Sequence, residues 1–134
     1  MNMVFFGEYQ VLFSSPGRLV LPKKLRELLK GNAFILTKGF NQCLAGFDKE
    51  DWENRAKDLL QVSLLEQENI EKRRFVFSSV VYPEIDEQGR FIIPKNLMLY
   101  SNLSNKAVII GVGDHFEIWS QDRWQEYNKK IKNK

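Results

Sequence analysis

Two arginines, Arg18 and Arg90, are the side chains in this sequence best suited to bind an anion. Each follows a glycine and precedes three apolar residues, a proline and a lysine. An arginine at such a junction between turn and strand can fork onto a phosphate or onto O6 and N7 of guanine. The alternative is an internal ion pair, which Asp86 or Glu87 could form with Arg90. The turn before Arg18 has no acid, so contact with DNA is favoured there, while both interpretations stay open for Arg90.

Further cations follow each arginine at the start of an expected helix. Because the helix dipole disfavours positive charge at that end, these cations point to a partner, with a solubilising surface as the alternative. Residues 17–30 carry net charge +4 and residues 89–102 carry +2, so the first copy is predicted to read DNA. The second copy, with Leu97, Met98, Leu99 and Tyr100, is expected to pack against a neighbouring subunit. The predicted DNA-binding residues are Arg18, Lys23, Lys24, Arg26, Arg90 and Lys95.

The sequence gives little support for a metal site, a catalytic site or a dinucleotide-binding loop. Cys43 and His115 are the only cysteine and the only histidine, which leaves too few ligands for a zinc site of that type. They occupy equivalent positions of the repeat described below, so a shared role in hairpin packing is favoured over a catalytic Cys–His pair. The pair Gly111 and Gly113 lacks the third glycine and the helix of a dinucleotide-binding loop. We therefore expect no enzyme, no cofactor and no metal.

Composition narrows the class of protein further. The chain has 134 residues, 43% of them apolar, with 20 Lys+Arg, 17 Asp+Glu and net charge +3, as in an ordinary globular domain. One cysteine excludes a disulfide scaffold, and no apolar run is long enough to span a membrane. The segment Met1–Gly7 lacks the pattern of a secretory signal, and a lone thiol favours the cytoplasm.

An internal repeat organises the chain, with an offset of 72 residues. Gly17–Leu25 matches Gly89–Leu97, and Trp52 matches Trp124 in the same register. Each copy has an extended segment, a turn, a short buried strand, a helix and a hairpin. We expect an α+β fold, mainly a β barrel with short helices, formed by two intertwined halves about a pseudo-twofold axis. The predicted domains are a first repeat at 1–52, a helical connector at 53–77, and a second repeat with a C-terminal helix at 78–134.

Several local signals refine these elements. The first helix is predicted to run to about Lys30, and Asp48 and Ser120 are expected to cap the closing helices. Ser63 and Glu66 have the spacing of a capping box that opens a second connector helix. The residues 80–85 are expected to form the extended segment of the second copy.

The doubled signature Gly-Arg-apolar-apolar-apolar-Pro-Lys resembles the MraZ family of bacterial regulators, within the AbrB/SpoVT-like group of swapped-hairpin DNA-binding domains. The resemblance includes Phe5–Tyr9, Gly39–Leu44 and Gly111–Ser120. It implies a transcriptional regulator whose chains close into a ring of eight. The ring would bind short direct repeats upstream of the division and cell-wall gene cluster, in the cytoplasm at the nucleoid. It also implies an interaction with a ribosomal-RNA methyltransferase.

One turn departs from the family pattern. The family has an acidic residue and a lysine before each Gly-Arg, whereas the first copy has Ser14-Ser15-Pro16. Ser14 is expected to make, more weakly, the backbone bond that an aspartate would make. A regulator that acts by restraining the methyltransferase stays as the alternative function. An RNA-binding barrel is a weaker rival, because the basic segment 17–30 contains no aromatic residue.

Overall fold

The computed structural model describes residues 4–61 and 65–132, and these form an α+β fold as the sequence predicts. The strands are β1 (Glu8–Leu12), β2 (Arg18–Val20), β3 (Ile35–Lys38), β4 (Leu44–Phe47), β5 (Arg90–Ile92), β6 (Lys106–Gly111) and β7 (Phe116–Ser120). The helices are α1 (Lys23–Arg26), α2 (Lys49–Leu60), α3 (Gln67–Ser78), α4 (Lys95–Ser101) and α5 (Gln121–Lys132), with a 3₁₀ turn at Phe40–Gln42.

The strands form one five-stranded sheet and a separate two-stranded ribbon. The sheet has the order β1-β6-β7-β4-β3, and the ribbon pairs β2 with β5. Within the described residues there is no closed barrel, in contrast to the prediction. The segment 80–85, expected to be a strand, makes only isolated bridges at Val81 and Glu84. Pro83 lies between them and has no N–H to donate, so a continuous ladder cannot form there.

The two copies exchange strands. β1 of the first copy pairs antiparallel with β6 of the second, with Tyr9 opposite Ile109. In return, Val81 of the second copy bridges to Leu36 in β3 of the first. Neither copy therefore completes a sheet with its own residues.

The ribbon has a register that maps one copy onto the other. Leu19 lies opposite Phe91, Arg18 opposite Ile92, and Val20 opposite Arg90. Replacing each residue by its counterpart 72 positions away leaves this pairing unchanged. Two further bonds obey the same exchange, and they run from Leu21 N to Gly89 O (2.9 Å) and from Ile93 N to Gly17 O (2.8 Å).

Helix boundaries differ from the predictions where side chains redirect the backbone. α1 ends at Arg26, short of Lys30, because the Leu28 and Leu29 N–H groups donate to carbonyls three residues back (3.2 and 3.1 Å), and the Lys30 N–H then donates to Asp48 Oδ1 at 2.9 Å. Asp48 precedes α2 but makes no side-chain cap, in contrast to the prediction, and its Oδ2 is buried without a hydrogen-bond partner among the described residues. Ser120 does cap α5, accepting the Arg123 N–H at 3.3 Å. The capping box at Ser63 and Glu66 cannot be compared, because Ser63 lies outside the described residues.

One apolar core fixes the ribbon on the sheet. Leu19 is 0% and Phe91 2% exposed. The Phe91 ring packs edge-on against Phe34, whose centroid lies 5.0 Å away, and Phe34 in turn packs on Phe116. Because successive side chains of a strand point to opposite faces, this anchoring turns the other face of the ribbon outward.

Candidate nucleic-acid interface

The outward face of the β2–β5 ribbon carries the two arginines of the repeated signature. Arg18 and Arg90 sit on it diagonally, each opposite an aliphatic residue, Ile92 and Val20 respectively. Both arginines are half-buried, and both line one surface depression of about 390 Å³. The structure thus brings together the two residues that the sequence places 72 positions apart.

Arg90 is held by its own turn. Its Nε donates to Asp86 Oδ2 at 2.7 Å, and its backbone N–H donates to Asp86 Oδ1 at 2.8 Å. The backbone N–H of Arg90 is the main reason why the pKa of Asp86 lies below its usual range, and the guanidinium adds to the effect. Of the two interpretations left open for Arg90, the structure contains the internal ion pair.

Arg18 is not held in this way. It forms no ion pair with any residue in the ranges 4–61 and 65–132. Its backbone N–H donates to the carbonyl of Ser15 at 3.0 Å. The acceptor in this turn is therefore the Ser15 carbonyl and not the expected Ser14 hydroxyl, and the guanidinium of Arg18 stays available to a partner.

Arg26 lies against the turn of the opposite copy. A Cβ placed on Gly89 would sit 2.5 Å from Cζ of Arg26, so the guanidinium covers the peptide that precedes Arg90. Its Nε is shielded from solvent and has no hydrogen-bond partner among the described residues. Arg26 therefore packs against the second turn, and it also adds positive charge near the surface.

The cations at the start of each helix lie beside the turn of the other copy. Because Leu21 bonds to Gly89, the start of α1 lies beside the second turn, and the Ile93–Gly17 bond sets the start of α4 beside the first turn. The cations at the start of α1 therefore lie near the turn that precedes Arg90. Lys95, at the start of α4, lies near the turn that precedes Arg18. The net charges of residues 17–30 and 89–102 therefore do not show which cations lie beside each arginine in space.

The helix-start lysines are exposed. Lys23 makes only a long, solvent-exposed contact with Glu27 at 4.0 Å, which contributes little to stability. Lys24 and Lys95 form no ion pair in the described part of the chain. All three remain free to contribute charge to a polyanion.

Sequence reasoning missed the aliphatic part of this face. Residues 19–21 and 91–93 were expected to form wholly buried strands, yet the observed strands begin one residue earlier and Ile92 is 59% exposed. The position of each arginine could have revealed these exposed aliphatic residues. In a strand, residues two apart share a face, so Val20 and Ile92 belong on the side of Arg18 and Arg90.

Cys43 and His115 meet at Glu117 and pack the hairpins. Burial is the first cause of a pKa of the Cys43 thiol far above its usual range, so the thiol is not a nucleophile. Burial lowers the pKa of His115, but its hydrogen bonds to Glu117 (3.1 Å) and Asp114 (2.7 Å) outweigh this and raise it overall. The His115 ring also stacks on Phe47. This geometry agrees with the packing role that the repeat predicts.

The described residues show neither a metal site nor a membrane-spanning helix. No group of three or more His, Cys, Asp or Glu side chains is arranged to hold a metal ion there. Among the helices of that same part of the chain, none is long and apolar enough to cross a membrane.

Comparison with known proteins assigns the chain to a family. The family model described as "MraZ protein, putative antitoxin-like" matches twice, over residues 4–75 and 76–134. Proteins named "Transcriptional regulator MraZ" share 42% identity in Clostridium tetani (93% of this chain, 87% of the relative) and 40% in Ligilactobacillus salivarius (92% and 86%). The relative of that name in Heliobacterium modesticaldum is 40% identical (95% and 88%). These matches confirm the family resemblance and the expectation of a regulator rather than an enzyme. The chain therefore belongs to the MraZ family of transcriptional regulators.

Proposed function

We propose that the chain binds double-stranded DNA sequence-specifically through the outward face of the β2–β5 ribbon. The observation that carries this proposal is the placement of Arg18 and Arg90 on one exposed face of a two-stranded ribbon. The major groove of B-DNA admits such a ribbon, and arginine is the side chain that most often contacts guanine there.

The cations divide the work according to their environment. Arg18, without an ion pair, makes the base or phosphate contact in each subunit. Arg90, whose Nε donates to Asp86, adds positive potential near the DNA and makes a second contact. Lys23, Lys24 and Lys95 bind phosphates, while Arg26 supports the turn of Arg90 and adds charge beside it.

The exchange symmetry of the ribbon supports a pseudo-twofold axis through the Leu19–Phe91 pair. The two halves would be AbrB-like repeats at 1–52 and 78–134, joined by the helical connector 53–77. Across such an axis, Arg18 and Arg90 approach the DNA from opposite directions along the groove.

Several subunits must act together for a chain of net charge +3 to bind DNA firmly. The proposed assembly is a closed ring, octameric by the family resemblance, on short direct repeats upstream of the division and cell-wall genes. Simultaneous contacts raise the affinity by roughly 10²–10⁴ when subunit and repeat spacings match. Its place of action would be the cytoplasm, at the nucleoid.

A protein partner is the second candidate function, with the ribosomal-RNA methyltransferase as the expected partner. The observation that favours it is Phe40, which is 78% exposed and stacks on Phe75 of α3 rather than on the ribbon. Exposed aromatic side chains are enriched at protein interfaces.

A mobility-shift assay tests the first function. The probe is DNA upstream of the gene for this chain, with excess unrelated competitor, at salt concentrations from about 50 to 200 mM. Specific retardation is expected, with a log–log salt slope near −0.9 per phosphate contact. Arg18→Ala should weaken it markedly, whereas Lys57→Ala, at an exposed lysine of α2, should not. Retardation that competitor DNA removes completely would contradict sequence-specific binding.

A further inference from the structure

We propose that Ile92 reads the 5-methyl group of a thymine next to the guanine contacted by Arg18. This inference rests on the DNA-binding function proposed above and adds to it the identity of a base. It makes Ile92 a specificity residue rather than part of the electrostatic surface.

Ile92 is an exposed aliphatic residue beside a cation. Its side chain is 59% exposed on the face of the ribbon that also carries Arg18 and Arg90, with Val20 as the other aliphatic residue. A surface that bound only phosphates would gain from a polar or cationic side chain at this position. An aliphatic side chain gains only where it meets another apolar group, and in the major groove that group is the thymine methyl.

The register of the ribbon brings Ile92 next to Arg18. Ile92 lies directly opposite Arg18 in the ribbon, and opposite residues of an antiparallel pair have Cβ atoms about 4.5–5.5 Å apart. Stacked bases are about 3.4 Å apart. A guanidinium on guanine and an isoleucine beside it therefore reach the same or the neighbouring base pair.

The equivalent pair, Arg90 and Val20, differs from Arg18 and Ile92. Val20 lies opposite Arg90, but Val20 is only partly exposed and the Nε of Arg90 is committed to Asp86. By contrast, Arg18 forms no ion pair among the described residues, and Ile92 is exposed. Discrimination of a guanine–thymine step thus belongs to one side of the ribbon.

The experiment uses the full chain and the DNA segment that footprinting defines upstream of its gene. Each thymine is replaced singly by uracil, which removes only the methyl group. One thymine beside a guanine should show about fourfold weaker binding by the wild type, since burying one such carbon contributes about 0.8 kcal/mol.

The side chain is then varied. Ile92→Ala should bind the thymine and uracil forms of that DNA equally well, whereas Val20→Ala should keep the fourfold difference. Ile92→Asn, which carries no methyl group and puts a polar group in its place, supplies a second variant if the alanine variant is unfolded by circular dichroism. It too should lose the difference.

The outcomes separate the two proposals. Specific binding with no uracil penalty at any thymine, or a penalty that persists in a folded Ile92 variant, overturns the reading of thymine and leaves DNA binding intact. Absence of any specific retardation overturns the DNA-binding function and this inference together.

Discussion

The guanidinium of Arg26 covers Gly89, the residue that precedes Arg90. Gly89 has a φ of +83° and lies where any side chain would meet the guanidinium. Arg26 belongs to the first copy of the repeat and Gly89 to the second, so this contact couples a helix of one copy to the turn that precedes Arg90 in the other.

Gly89→Ala should lower the free energy of unfolding by about 1–3 kcal/mol, because it imposes a left-handed conformation on a residue with a Cβ and displaces Arg26. Urea denaturation measures the loss. Gly31→Ala is the matched control, since Gly31 has ordinary φ and open space around it, and its change should stay within about 1 kcal/mol. Equal effects of the two substitutions would contradict a role for the Arg26–Gly89 contact.

The pKa of His115 gives a pH-dependent contribution to stability. Hydrogen bonds to Glu117 and Asp114 raise the folded pKa of His115 above 6.5, so protonation favours the folded state. This contribution is fully present below about pH 6.5 and is lost as the pH rises through the raised folded value. The measurement is the pH titration of the imidazole protons by NMR in untagged protein, which has one histidine.

Carboxylate variants check the cause of that shift. Glu117→Gln should lower the folded pKa of His115, because it removes the charge that accepts from Nε2. Glu53→Gln changes an exposed carboxylate of α2 and should leave the titration where it was. A wild-type midpoint at or below 6.5 would count against the assigned hydrogen bonds.

Leu99 is the residue of α4 best placed to contact a neighbouring subunit. Of the four apolar residues at 97–100 expected to pack between subunits, Leu97 is buried in the chain's own core and Tyr100 donates to Gly39 O at 2.6 Å. Leu99 is 71% exposed. Leu99→Glu should therefore reduce the mass of the oligomer measured by light scattering, because it places a charge in an apolar contact.

Leu60→Glu, at an exposed leucine of α2, is the control for the Leu99 substitution and should leave the mass of the oligomer unchanged. A wild-type chain that is monomeric at micromolar concentration would refute the ring itself. Loss of assembly in both variants would indicate that added charge, and not the Leu99 contact, is responsible.

The order of elements could be predicted from the sequence because it follows from local pattern. Gly17 and Gly89 end turns with positive φ, Pro22 and Pro94 precede helices, and the 72-residue offset carries β2, α1, β3, β4 and α2 to β5, α4, β6, β7 and α5. These signals depend on neighbours along the chain, so they survive without knowledge of the fold.

Long-range pairing could not be predicted in the same way. The position of Arg26 depends on the bond between Leu21 and Gly89, which joins residues far apart in the sequence. The net charge of residues 17–30 does not show that the start of α1 lies beside the turn that precedes Arg90. The described residues likewise form no closed barrel, and the segment 80–85 makes only isolated bridges on either side of Pro83.

Arg18→Ala should weaken DNA binding more than Arg90→Ala. The Arg18 guanidinium has no ion pair among the described residues, whereas Nε of Arg90 is 2.7 Å from Asp86 Oδ2. Loss of a phosphate contact should reduce the salt slope by about 0.9 per engaged subunit, and loss of a guanine contact should cost about 1–3 kcal/mol at one base position. Mobility shifts at several salt concentrations, on wild-type DNA and on DNA with single guanines replaced, distinguish the two losses. Both variants must first match the wild type in urea denaturation, because each arginine also belongs to its turn. If both fold normally and Arg90→Ala is the more damaging, the second copy, supported by Arg26, is the one that reads DNA.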